Sequence, residues 1–204
     1  MLAFRLKRNR NKQTNLENIE INKIFKIATD KQKVICPPDQ VFLRPDYDFL
    51  LTIGGDLVTD KNEYEKLTEL LKKIGETEFY ICENIGATTT ERNTPYQTTI
   101  TLRDDYRTFK EKVSEFEPPF GWTAHHFYVF GQKECWGIYI CEYPTINIIG
   151  CDKKLLNAFR EVFSINGNGY NNLKEFIGQE YKSMPNLMKE LKDQYRLEYD
   201  TDTK

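Results

Sequence analysis

HHFYVFGQKECWGIYICEYPTINIIG, residues 125–150, decides the fold. It holds three apolar runs, 125–130, 135–142 and 145–150, joined by the short turns Gly131-Gln132-Lys133 and Tyr143-Pro144. Runs of this length, rich in aromatic and β-branched residues, read as strands. A parallel crossover needs a dozen or more residues, so links this short make the three strands antiparallel neighbours.

The pattern changes on both sides of this block. Downstream, Asp152 is expected to cap a helix carrying Leu155, Leu156, Phe159, Val162 and Phe163 on one stripe. A loop, NGNGYNN at 166–172, separates it from two further helices at 173–181 and from Pro185 to about Tyr195. Upstream, YQTTITL at 96–102 and EFYICE at 78–83 read as strands, the former with one wet face. Asp104 or Asp105 caps a helix bearing Tyr106, Phe109, Val113 and Phe116. Asp60, followed three residues later by Glu63, resembles a capping box for a helix with Tyr64, Leu67, Leu70, Leu71 and Ile74 on one side. Gly75 supplies its left-handed stop. A buried strand at 49–53 ends on Gly54-Gly55, and 16–28 has rough helical spacing. The expected fold is α+β: about six strands in an antiparallel or mixed sheet, with helices packed mainly on one face. One domain is expected at 16–199, between a basic arm at 1–15 and a short tail at 200–204.

The composition is that of a globular chain: 204 residues, 39% apolar and 29% charged. No apolar run reaches the ~18 residues a membrane helix needs. The formal charge of -2 hides an asymmetry. Residues 1–12 carry Arg5, Lys7, Arg8, Arg10 and Lys12 and no acid, leaving 24 basic against 31 acidic residues, or -7, on the rest. The polar stretch after this basic tip is not a secretory signal core. Five cysteines, Cys36, Cys82, Cys135, Cys141 and Cys151, are an odd number without metal spacing. They read as reduced core residues in a cytoplasmic protein.

Catalytic spacing is lacking. His125 and His126 are the only histidines, and neighbours on a strand point to opposite faces. An enzyme would use one of them with a nearby Glu or Cys, for instance Cys135 across from His126. The plainer reading of both is structural. Gly54-Gly55-Asp56 lacks the context of a phosphate loop, and Leu57-Val58 breaks the resemblance to a cyclase hairpin. A turn is the simpler explanation. Among the strand-end acids, Glu83, Glu134 and Glu142 form no evident pair for acid–base work. No catalytic residue, metal ligand or cofactor site is expected.

Aromatic density stands out. Trp122, Tyr128, Trp136, Tyr139 and Tyr143, with Glu142, are the candidate interface, since Tyr and Trp anchor protein–protein contacts. The competing reading is an ordinary core. Base stacking on the sheet would need basic surroundings, and Lys133 is the only Lys or Arg at 125–152. Nucleic acid is therefore expected only through the arm residues Arg5, Lys7, Arg8, Arg10 and Lys12.

The segment 135–163, CWGIYICEYPTINIIGCDKKLLNAFREVF, resembles immunity proteins of bacterial polymorphic-toxin and contact-dependent systems. The shared features are Trp136 opening a strand, a hairpin, the Ile148-Ile149-Gly150 strand end, and a helix closing on Phe163. The resemblance implies a small, acidic, cytoplasmic protein that binds and occludes a cognate toxin without doing chemistry. It implies no particular binding residues. The leading expectation is thus a bacterial interaction protein with a protein partner, such as a basic toxin domain. The alternatives are the histidine enzyme and a nucleic-acid module acting through the arm.

Overall fold

The computed structural model describes residues 21–27, 35–53, 60–84, 86–87, 95–114, 126–141, 144–165 and 169–197. In chain order these form β1 (Asp48–Ile53), α1 (Lys61–Lys73), β2 (Glu78–Glu83), β3 (Gln97–Thr101) and α2 (Tyr106–Ser114). Then come β4 (His126–Gly131), β5 (Trp136–Cys141), β6 (Ile146–Cys151), α3 (Leu156–Val162), α4 (Gly169–Glu180) and α5 (Leu187–Tyr195). The six strands make one sheet in the order β1-β6-β5-β4-β2-β3, and every neighbouring pair is antiparallel. The architecture is α+β. The β4-β5-β6 meander is its centre, as the short links require.

Both faces of this meander are covered. Phe127, Val129, Trp136, Ile138, Ile140 and Ile149 pack under α1, α2 and α3 in one core. Tyr128, Phe130, Tyr139, Cys141 and Ile148 pack in a second core under α4, α5 and residues from the N-terminal part of the chain. All six residues of β4, of β5 and of β6 are buried. Three of the five helices thus share one face, but the other face is not wet. The runs in 125–150 are continuously apolar rather than alternating, which is the pattern of a strand buried on both sides.

Two glycines make room for the second core. Gly137 and Gly150 are register partners across β5 and β6. A Cβ on Gly137 would lie 2.8 Å from the Phe25 ring and 2.9 Å from Ile24; one on Gly150 would lie 2.8–2.9 Å from the rings of Tyr47, Phe42 and Phe49. The pair forms a slot in the sheet that receives the N-terminal aromatics. Phe25 sits 4.8 Å from both Phe42 and Tyr128, ring to ring. The helix expected at 16–28 is corrected where it is described. Residues Ile21–Lys23 make one 3-10 turn, and Phe25 then bridges Phe42 as a short antiparallel pair. Burial of Ile24 and Phe25 in the slot outweighs the weak helical spacing.

Local caps follow the sequence closely, with one exception. The Asp60 carboxylate accepts from the Glu63 amide at 2.9 Å. At the other end of α1, the Gly75 amide donates to the Lys72 carbonyl and the Glu76 amide to the Leu71 carbonyl, with Gly75 at φ 80°. This is the Schellman closure. Gly75→Ala is expected to cost about 1 kcal/mol, because an L side chain resists that backbone region; urea unfolding of the variant checks it. Asp105 is the α2 cap, accepting from the Thr108 amide at 2.8 Å. Asp152 departs from expectation. Its side chain makes no cap bond, and the chain starts with a 3-10 turn, Lys153–Leu155, before α3. The carboxylate instead lies 3.7 Å from Lys154 and 3.9 Å from Arg44.

Asp104 does different work from Asp105. It accepts from the Lys112 ammonium at 2.6 Å and from the Thr101 amide at 3.0 Å, closing the β3–α2 corner. Burial alone would raise its pKa, but the bonds from Lys112 and Thr101 prevail and hold it below the usual carboxylate value. A carboxylate depressed in the folded state stabilises above its unfolded pKa of about 3.9 and loses that contribution as pH falls through the folded value. Asp104→Asn should therefore lose about 1–2 kcal/mol at neutral pH, with the loss shrinking in acid. Denaturation midpoints of both proteins across pH 2–7 measure this.

Candidate functional site

The proposed aromatic interface meets the core first. Trp136 and Tyr139 are 0% exposed and Tyr128 is 3% exposed. These three cannot present a contact surface, which corrects that part of the expectation. The physical reason is the second covering layer: α4, α5 and the N-terminal aromatics occupy the face on which Tyr128 and Tyr139 point. Trp136 points to the opposite face, where its ring packs 5.9 Å from Phe159. Trp122, Glu142 and Tyr143 lie outside the described residues, as do His125, the Gly54-Gly55-Asp56 turn and the basic arm with Arg5, Lys7, Arg8, Arg10 and Lys12.

His126 is buried at 5% exposure. Its Nδ1 lies 3.2 Å from the Tyr139 hydroxyl. The Asn84 amide donates to that hydroxyl at 2.9 Å and to the Ile35 carbonyl at 3.1 Å. Since the hydroxyl already accepts from Asn84, its proton is available for Nδ1, which favours the tautomer with Nε2 protonated. The arrangement knits the β2, β4 and β5 ends to the segment at 35–36. Cys135 is not part of it. His126 registers with Cys141, whereas Cys135 precedes Trp136 at the far end of β5. Six residue steps along the strand, roughly 20 Å, separate the two. The Cys135–His126 pairing is therefore excluded by register.

The thiols are tuned away from reactivity. Burial pushes Cys82 up to about 11 and Cys151 up to about 12. Cys36 and Cys135 are also raised, first by burial and then by Asp39 and Asp152 respectively. Nucleophilic cysteines need the opposite shift. Alkylation of the native protein at pH 8 should be many-fold slower than that of free cysteine and should accelerate on adding denaturant. Equal rates in the two states would show an activated thiol.

The buried carboxylates bind backbone. Glu76, 4% exposed, accepts from the Gln132 amide at 3.0 Å, the Lys133 amide at 3.0 Å and the Trp136 indole at 3.1 Å. Glu83, 3% exposed, accepts from the Tyr96 amide at 2.8 Å. Glu134 is partly exposed and pairs with Lys23 at 2.6 Å. Among the described residues, no group of three or more His, Cys, Asp or Glu side chains could hold a metal ion.

The open space lies elsewhere, at the start of β1. A cleft of about 580 Å³ runs between residues 45–49, the outer side of α3 and the end of α5. Lys153, Asn157 and Arg160 line one wall, Asp46 and Asp48 the other, and Tyr195 and Arg196 close the end. A smaller cleft of about 360 Å³ adjoins it and shares Pro45, Phe49 and Arg196. Sequence reading missed this site because its residues come from three distant segments. The spacing of Lys153, Asn157 and Arg160, four and then three residues apart, was the one visible signal, since it aligns them on a helix face. His126 lines neither cleft. Compared with known proteins, the chain matches no family model, no curated relative and no solved structure.

Proposed function

We propose that this chain is a non-catalytic binding protein of the bacterial immunity type, which neutralises a cognate toxin by covering it. The observation that carries this reading is how the chemically capable side chains are used. Glu76 and Glu83 accept backbone amides, His126 is bonded to Tyr139, and burial raises the thiols. Each is committed to holding the fold rather than to reacting with a bound molecule. The resemblance over 135–163 and the acidic balance outside the basic tip support the same reading.

The aromatic anchors are replaced by charge in this proposal. A body with a charge of -7 beyond the first twelve residues attracts a basic partner and speeds encounter. Association with a basic toxin domain should slow by about tenfold or more between low and high salt, while dissociation changes less. Stopped-flow or surface-binding kinetics at two ionic strengths measure this. An association rate indifferent to salt would remove the electrostatic basis of the reading.

A further inference from the structure

The two edges of the sheet are finished differently, and the phase of the hydrogen-bond ladder shows how. The Asp152 amide donates to the Cys135 carbonyl at 2.9 Å, so these two residues form a hydrogen-bonded pair where β5 meets β6. Hydrogen-bonded and non-bonded pairs alternate along an antiparallel ladder. Gly150, Ile148 and Ile146 therefore turn their backbone groups to β5, and Cys151, Ile149 and Asn147 turn theirs to β1. The β1 partners of the latter are Asp48, Leu50 and Thr52. The N–H and C=O of Phe49, Leu51 and Ile53 thus point off the sheet. The same phase holds at the other side. There the Asn84 amide bonds the His126 carbonyl, the Glu83 amide the Tyr96 carbonyl and the Leu102 amide the Thr77 carbonyl. Gln97, Thr99 and Thr101 are the outward residues of β3.

The β3 edge is closed by its own chain. The Thr101 amide donates to the Asp104 carboxylate and its carbonyl accepts from the Asp104 amide, both at 3.0 Å. The Thr99 carbonyl accepts from the Lys112 ammonium at 3.1 Å. Charged side chains set across an edge in this way block pairing with another chain. At β1, the outward groups of Phe49 receive no hydrogen bond among the described residues. Leu51 is buried, so the accessible stretch is the start of the strand. Phe49 lines both clefts, together with Pro45 and Arg196.

We infer that β1 takes up an extended acidic peptide segment of a partner protein as an added strand, exchanging main-chain bonds with Phe49. The unpaired donor and acceptor call for a polypeptide backbone, since one residue opposite Phe49 satisfies both. The edge is recessed between α3 and the end of α5. Those walls would keep out the edge of a second folded copy, whereas a lone strand lies only about 4.8 Å from its neighbour. Leu43 and Pro45 in the smaller cleft offer an apolar seat to an alternate side chain. Lys26 and Arg196 line the same cleft, and neither side chain forms an ion pair or hydrogen bond among the described residues. Arg44 is already bound to Asp46, and Asp193 is the only acid among the described residues that line the smaller cleft besides. One cation is left for an acidic side chain. That sign is opposite to the surface of a basic toxin, so this site lies beyond toxin occlusion.

The test selects random linear peptides displayed on phage against the full chain, then titrates the best synthetic peptide into ¹⁵N-labelled protein. Enriched peptides should carry Asp or Glu beside alternating apolar residues. The Phe49 amide should exchange quickly in the free protein and about tenfold or more slowly in the complex, while Leu50 is protected in both. Replacing Phe49 with phenyllactic acid swaps the outward N–H for an ester oxygen and keeps the side chain; it should weaken binding about tenfold. Arg196→Gln keeps the backbone and should weaken binding about tenfold as well, which serves if the ester variant misfolds. No enriched peptide, enrichment of basic peptides, a Phe49 amide protected in the free protein, or parental affinity in the folded variants would overturn the inference. Rescue from a toxin is read separately in the same variants, so failure here leaves the proposed function untouched.

Discussion

Glu76→Ala is expected to destabilise the protein by about 3–5 kcal/mol, lowering its melting temperature by about 10 °C. The carboxylate is 4% exposed and receives three N–H bonds, two of them from consecutive amides of the β4–β5 turn. Hydrogen bonds to a charged acceptor contribute about 1.5–3 kcal/mol each, and removing the acceptor leaves the Trp136 indole without that partner. The effect reaches two elements because Glu76 is the residue that ends the α1 cap; its own amide closes the Schellman motif on Leu71. Lys133 also reaches back to the Ile74 carbonyl, and the Thr77 hydroxyl donates to Gln132 at 2.8 Å. Loss of the carboxylate should therefore loosen the α1–β2 joint and the hairpin together. Glu76→Gln keeps one acceptor and the shape, so it should cost about half as much. The hairpin is built for the carboxylate: a Cβ on Gly131 would come 2.2 Å from its Oε1. Equilibrium unfolding of the two variants, with hydrogen exchange at Lys133 and Trp136, measures both the magnitude and the place.

Gly137→Val is expected to cost about 3 kcal/mol or more and to detach the N-terminal segment from the sheet. Even a methyl group here would sit 2.8 Å from the Phe25 ring tip and 2.9 Å from Ile24. Phe25 is 0% exposed and is held by Phe42, Tyr128 and Phe130, so it has little room to yield. The backbone around it is also fixed: the Lys26 amide donates to the Val41 carbonyl and the Leu43 amide to the Ile24 carbonyl, both at 2.8 Å. Overpacking should thus be relieved by displacing residues 21–27 as a unit. Limited proteolysis should cut within 21–27 or 35–47 in the variant and not in the parent at those sites, while exchange protection in β4 and β6 persists. Combining Gly137→Val with Phe25→Ala should restore part of the loss, giving a coupling energy of about 1 kcal/mol or more in a double-mutant cycle. Additive effects would mean that the slot is not what fixes the segment.

These two contacts show where the sequence was legible. The strands of the meander, the Asp60 and Gly75 caps and the α1 stripe are local patterns, set by turn chemistry and periodicity within about a dozen residues. They stand where the sequence places them. The Gly137–Gly150 slot was not legible, because two glycines thirteen residues apart become meaningful only when β5 and β6 register them. The same limit explains the aromatic misreading. Tyr128 and Tyr139 look alike in sequence whether solvent or Phe25 covers them, and the cover comes from a segment a hundred residues earlier. Uninterrupted apolar character in β4, β5 and β6 was the available sign that both faces are buried. The cleft residues illustrate a third kind of limit. Lys153 and Arg160 read as ordinary surface charges, and only the end of α5 at Arg196 and the start of β1 turn them into the wall of a cavity.

Neutralisation of a toxin is the central claim, and co-expression tests it most directly. The chain would be produced together with the product of its neighbouring gene, in cells which that product alone kills. The account predicts survival, a stable complex of the two proteins on size exclusion, and rescue retained by His126→Gln and Cys135→Ala at normal folded levels, since occlusion needs neither group. Death of the co-expressing cells with no complex formed would contradict it, and so would rescue abolished by those substitutions in folded protein.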